Sequence, residues 1–186
     1  RLSAKAHAAC IWAVHIGTLF SAYFILAANS WMQNPVGYEY NPDTGRAEMN
    51  DFAAVLFNKV QLVTFPHVVL AAYMTGAAFV VGIAFWHLRK AKATKPDDVP
   101  LYMRAVRSGA AVLLVAGLGV AVTGDIQGKI MTEVQPMKMA AAEALYETKD
   151  GASFSIFSIG TPDGSEETFS IRVPKMLSFL ATGDFN

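Results

Sequence analysis

His67 is the side chain with the most chemistry to offer in this sequence. It follows Phe65-Pro66 near the start of a long apolar run and has aliphatic neighbours. A polar imidazole in such surroundings needs a partner: a metal, a carbonyl or water. Pro66 removes one backbone donor and can bend or start a helix, which would point the imidazole into a bundle interior. Axial ligation of a haem iron by neutral imidazole is the obvious membrane use of such a residue. A hydrogen-bonded core histidine is the plainer reading, and local sequence alone ranks it first. His15 lies deeper in another apolar run, where a structural hydrogen bond or a solvated cavity ranks ahead of metal ligation. His7 and His87 sit beside cations and read as interfacial anchors.

A second set of polar residues shares one helix. At about 100° per residue, His15, Thr18 and Asn29 fall within roughly 60° of one another, with Ser21 further round the same side. Such a stripe can hold a proton-conducting file of water, or it can hydrogen-bond to its own backbone and to neighbouring helices, and the second use ranks first. Asp125 and Gln127 follow the third apolar run, where free solvation is the default for an acid. Lys138 and Glu143 are five residues apart on an expected helix, a spacing that makes a poor ion pair. They offer a donor and an acceptor to a polar ring; as isolated residues they read as solvated charges. The single cysteine, Cys10, excludes an internal disulfide and reads as a packing or lipid-facing residue.

These residues must be positioned by membrane helices. Hydrophobic residues make up 53% of the chain and charged residues only 16%, outside the usual soluble mixture. Apolar stretches run over 8–32, 60–88 and 103–122, the last flanked by Arg104 and Arg107, and about 20 residues at 1.5 Å rise suffice to span a bilayer. Helix is required there, because isolated strands would leave backbone amides unpaired in lipid. The amino end and the 89–107 segment hold eight of the fifteen Lys and Arg, Arg1 and Lys5 among them, with only Asp97 and Asp98 as acids. By the positive-inside rule these are cytoplasmic, and 33–59 and 125–186 are external. The net charge of zero points to no nucleic-acid partner.

The 33–59 loop contains Asn34-Pro35, Asn41-Pro42 and Asp43-Thr44-Gly45, all turn chemistry. In the tail, 136–148 reads as a helix with Pro at its first turn. Segments 153–159 and 168–173 alternate like the strands of a small hairpin around Thr161-Pro162-Asp163-Gly164, and 174–182 reads as a short amphipathic helix. The expected fold is all-α and integral to the membrane: three transmembrane helices from a larger bundle, with an external loop carrying a short helix and a hairpin. Two regions are expected, 1–124 in the membrane and 125–186 outside it. The chain starts and stops without terminal features, as a segment of a longer polypeptide would.

The run Ala27-Ala28-Asn29-Ser30-Trp31-Met32-Gln33-Asn34-Pro35 resembles the end of a central helix in subunit I of cytochrome bd-type quinol oxidases. The following turn-rich loop, Phe65-Pro66-His67, Gly124-Asp125 and the Val134 to Glu143 segment, with its Gln135, Lys138 and Glu143, match that family in the same order. The resemblance covers nearly the whole chain. It implies that His67 is an axial ligand of the low-spin haem b, that Lys138 and Glu143 belong to the quinol site, and that Ser21 and Asn29 lie on a proton route from the cytoplasm; Asp125 is a further candidate.

The reaction so implied is oxidation of quinol at the outer face of the bacterial cytoplasmic membrane, coupled to reduction of dioxygen at a high-spin haem b and haem d. The helices bearing ligands for those two haems, and the Met opposite His67, are absent from this sequence. Activity would therefore need the rest of subunit I and the smaller subunit II. The competing reading is a non-catalytic three-helix membrane module that docks a partner through its external loop, with His67 merely hydrogen-bonded.

Overall fold

The computed structural model describes residues 2–185; Arg1, counted above among the amino-end cations, lies outside them. Three long helices dominate: α1 (Ala4–Gln33), α3 (Lys59–Thr94) and α4 (Val99–Val134). All three are long and apolar enough to cross a membrane. They outrun the apolar stretches that announce them, since a 36-residue helix is about 54 Å long and a hydrocarbon core about 30 Å thick. Pro66 sits inside α3 rather than at its start. The fold is thus the expected helical membrane architecture with small sheets.

The chain divides into two compact units, Arg1–Leu26 with Leu62–Gly124, and Ala27–Gln61 with Asp125–Asn186. In the first, α3 and α4 form an antiparallel pair joined through a 3-10 turn at Pro96–Asp98. Its buried residues are mostly small: Ala77, Ala84 and Ala91 on α3 and Ala116 on α4, while Ile11, Trp12, Phe79 and Leu118 stay exposed. Apolar side chains gain nothing by leaving lipid, so close backbone approach and dispersion hold such a pair together. Gly109 shows how close: a Cβ there would lie 2.7 Å from Val81 Cγ2. At the expected cytoplasmic ends His87 stacks on Tyr102, with ring centroids 5.2 Å apart, and Lys90 lies 3.7 Å over the Trp86 ring.

The second unit carries the irregular structure. After α1 come β1 (Tyr38–Asn41) and β2 (Arg46–Met49), an antiparallel hairpin, and α2 (Phe52–Leu56). Asn41 Oδ1 accepts from the Asp43 amide at 2.9 Å, the local bond that makes Asn-Pro-Asp a turn. Gly37, at φ +64°, receives the Asn50 and Asp51 amides on its carbonyl, and any Cβ there would run into the Asp51 carbonyl. Only glycine fits that position. Asp51 caps α2 by accepting from the Ala54 amide at 3.0 Å.

Beyond α4 lie α5 (Pro136–Ala142), β3 (Phe154–Gly160), β4 (Glu167–Val173) and α6 (Met176–Thr182), with β3 and β4 antiparallel. The expected helix over 136–148 stops six residues early. Ala144 turns left-handed at φ +50°, the Leu145 amide bonds the Ala140 carbonyl at 2.8 Å, and the Ala144 amide bonds Ala141 at 3.3 Å. That is a Schellman termination, normally made by glycine, so helix propensity did not announce it.

Adding one methyl group at Gly109 should show how tightly α3 and α4 pack. Val81 is β-branched and cannot easily turn aside. Gly109→Ala is expected to destabilise the helix pair by about 1–3 kcal/mol, read as a lower unfolding midpoint in detergent.

Candidate functional site

His67 projects from α3 one residue after Pro66 and is half-buried. Its Nδ1 lies 2.9 Å from Thr123 Oγ1 on α4. The Thr123 hydroxyl in turn donates to the Gly119 carbonyl, one turn back, at 2.7 Å. Gly124 follows, and a Cβ there would lie 3.4 Å from His67 Cε1. A small residue thus leaves room for the ring beside the hydroxyl that holds it. His67 Nε2 has no hydrogen-bond partner among the described residues. One turn before it, the Thr64 hydroxyl is buried without a partner.

The rest of the polar stripe divides between structural roles and open faces. His15 Nε2 meets the Tyr73 hydroxyl at 3.0 Å, bridging α1 to α3. Thr18 donates to its own backbone at Val14, at 2.8 Å. Both are the structural uses anticipated for the stripe. Ser21 and Asn29 are exposed on this chain. Cys10 is free and exposed, and no cluster of three or more potential metal-ligating His, Cys, Asp or Glu occurs among the described residues.

Lys138 and Glu143 both sit on α5, at its first turn and its C-cap. Among the described residues no ion pair joins them. Lys138 Nζ instead donates to Gln33 Oε1 at 3.0 Å, and Gln135 Nε2 donates to the Gln33 carbonyl at 2.6 Å. Lys138 is therefore not the freely solvated charge that isolated sequence suggests, because the last residue of α1 holds it. Glu143 is half-buried, and burial pushes its carboxyl above the usual glutamate range against the opposing effect of the Ser155 amide. Arg172 braces this segment, with Nη2 donating to the Ala144 carbonyl at 2.7 Å and to Glu167 Oε2 at 2.6 Å. The hydrogen bond from Arg172 holds Glu167 below the usual range. Asp125 also departs from its default of free solvation: it pairs with Lys129 at 2.8 Å, one turn along α4.

Sequence reasoning missed several positioning residues. Asn58 is buried; its Oδ1 caps α3 by accepting from the Val60 amide at 3.0 Å, and its Nδ2 donates to the Asn34 carbonyl at 2.7 Å. Ser30 and Gln61, both fully buried, bond each other at 3.2 Å. Asn immediately before a long helix was the available signal for Asn58. Gln33 stood within the Trp31 to Pro35 run without any sign of its partners, and Thr123 carried no signal beyond its polarity. An apolar cavity of about 410 Å³, lined in part by Trp31, Met32, Tyr38 and Met49, lies under the first hairpin.

Long apolar helices carrying a half-buried imidazole, with small hairpins at their ends, define an all-α integral membrane protein. The chain belongs to the cytochrome bd terminal oxidase subunit I family, whose sequence pattern matches residues 1–186. It is 42% identical over its whole length to the cytochrome bd ubiquinol oxidase subunit 1 of Bacillus subtilis (strain 168), spanning 38% of that protein. It is 34% identical over 98% of its length to the cytochrome bd-II ubiquinol oxidase subunit 1 of Escherichia coli (strain K12), spanning 35% of it. The structure of bd oxidase from Geobacillus thermodenitrificans superposes with a TM-score of 0.75 at 30% identity, over 98% of this chain and 40% of the other. The chain thus spans about two fifths of the length of these relatives.

Membership of a cytochrome family implies haem, and the donor chemistry at His67 fits it. One ring nitrogen is engaged by a hydroxyl, and the other makes no hydrogen bond among the described residues, so it can serve a metal.

Glu143 makes a pH test. Its raised carboxyl binds a proton more tightly folded than unfolded, so its contribution to stability is full below the ordinary glutamate range and is lost as pH rises through the folded midpoint. Glu143→Gln should remove that component from the pH dependence of unfolding. An unchanged profile would contradict the burial argument.

Proposed function

We propose that this chain is the central part of a membrane quinol:dioxygen oxidoreductase subunit, with His67 the axial ligand of a low-spin haem b and with Lys138 and Glu143 at the site of quinol oxidation. The observation that carries the reading is the half-buried imidazole whose Nδ1 is engaged by Thr123 while Nε2 stays bare. When bound, the haems (a low-spin haem b held by His67, and a high-spin haem b and haem d elsewhere in the subunit) would supply the redox chemistry between quinol and dioxygen.

This chain's own residues bind, orient and move protons. Lys138, steadied by Gln33, offers an ammonium N–H to a ring oxygen of quinol. Glu143, whose carboxyl burial biases toward its protonated form, has the character of a group that takes up and releases a quinol proton. Asp125 would have to exchange Lys129 for another partner to take part. Ser21 and Asn29, exposed on α1, would line a proton route only when the remaining helices enclose them.

The charge distribution supports placing the amino end and 89–107 on the cytoplasmic side of the bacterial inner membrane, with 33–59 and 125–186 external. On that reading 1–124 is the membrane segment and 125–186 belongs to the external quinol region. Ligands for the other haems and the contacts to subunit II would come from outside this chain.

In the full-length subunit expressed with its partner, His67→Ala should abolish the low-spin haem b band in reduced-minus-oxidised spectra. Retention of that band would remove the ligand assignment. Lys138→Ala and Glu143→Ala should each lower quinol turnover about 100-fold with haem content unchanged; equal loss of all haems would mark misfolding and refute a local role.

A further inference from the structure

We infer that Thr123 is a positioning residue for His67: its hydroxyl holds the imidazole as the Nδ1–H tautomer and so leaves the Nε2 lone pair for iron. The inference rests on the ligand assignment proposed above and adds a residue that assignment does not require.

The Thr123 hydroxyl has a single hydrogen and three polar neighbours: the Gly119 carbonyl at 2.7 Å, the Val120 carbonyl at 3.3 Å and His67 Nδ1 at 2.9 Å. A carbonyl can only accept, so the hydrogen goes to Gly119, the nearest of them. The oxygen then meets Nδ1 with a lone pair, and Nδ1 must be the donor. A neutral imidazole carries one N–H, which leaves Nε2 bare. The tautomer is thus assigned by the hydrogen-bond network.

The hydroxyl is also fixed in place. Its bond to the carbonyl four residues back ties the threonine rotamer to the backbone of α4, so the acceptor moves only with the helix. Gly124 beside it leaves room for the ring edge. The ring plane is held by α4, while α3 supplies the ring. Donation from Nδ1–H increases the electron density that the opposite nitrogen offers a metal. Such a ligand favours ferric over ferrous iron and lowers the midpoint potential.

The test uses the complete oxidase complex in membranes, with potentiometric titration and electron paramagnetic resonance of the low-spin centre as readouts rather than turnover. Thr123→Val keeps the branched shape and removes the acceptor; Thr123→Ser keeps the acceptor and removes the methyl group. An upward shift of the low-spin midpoint in Thr123→Val, a broadened low-spin resonance and a return to the wild-type values in Thr123→Ser are expected, with the other haems unmoved. Thr123→Ala, which cannot overpack, should shift in the same direction and stands in if the valine variant fails to assemble. Unchanged midpoints in the Val and Ala variants, or an equal shift in Ser, would overturn the inference while leaving His67 as ligand. Survival of the low-spin signal in His67→Ala would overturn both.

Discussion

A polar side chain within an apolar helix pair cannot turn to bulk water, so it must find its partner one turn back or on the next helix. Several side chains of the membrane helices follow this rule, the buried Thr64 hydroxyl being an exception. Thr18 and Thr75 close on carbonyls of their own helices, and His15 reaches Tyr73 across to α3. Thr123 does both at once, and its intrahelical bond aims the oxygen that receives the imidazole. The exchange works only because α4 comes close to α3, with Gly109, Gly119 and Gly124 on the approaching helix. Packing of small residues and orientation of the candidate ligand are therefore one structural fact.

The second unit solves a different problem, the ordering of irregular backbone. Ser30, Asn34, Asn58 and Gln61 form a largely buried set of hydrogen bonds that ties the end of α1 to the start of α3. Each such bond contributes about 0.5–1.5 kcal/mol net, but a buried group left unpaired costs about 1–3. The exposed ion pairs Lys59–Glu133 and Lys129–Asp125 contribute about 0–1 kcal/mol each, so the buried amides dominate. Gln33, at the end of the same helix, carries this order to Gln135 and Lys138. Arg172 performs the corresponding task for the backbone beyond Glu143.

Hydrophobic runs, turn residues and alternation made most of the architecture legible: three long helices, the tail hairpin and the short terminal helix all fall where their local patterns put them. The departures have local causes. The helix after Pro136 ends early because Ala144 adopts a left-handed conformation that its residue type does not advertise. The first hairpin forms where turn chemistry alone was evident, because Gly37 and the Asn41 side chain shape its ends.

Sequence by itself determined the membrane class and the span positions, which depend on composition and local period, while the family and the candidates His67, Lys138 and Glu143 came from motifs shared with relatives. Tertiary structure decided which partner each candidate has: Thr123 for His67, Gln33 for Lys138, and burial near Ser155 for Glu143. Those pairings join residues 56 and 105 positions apart. No local pattern encodes such distances, because they arise only when separate helices pack and a hydroxyl or an amide arrives at the right turn.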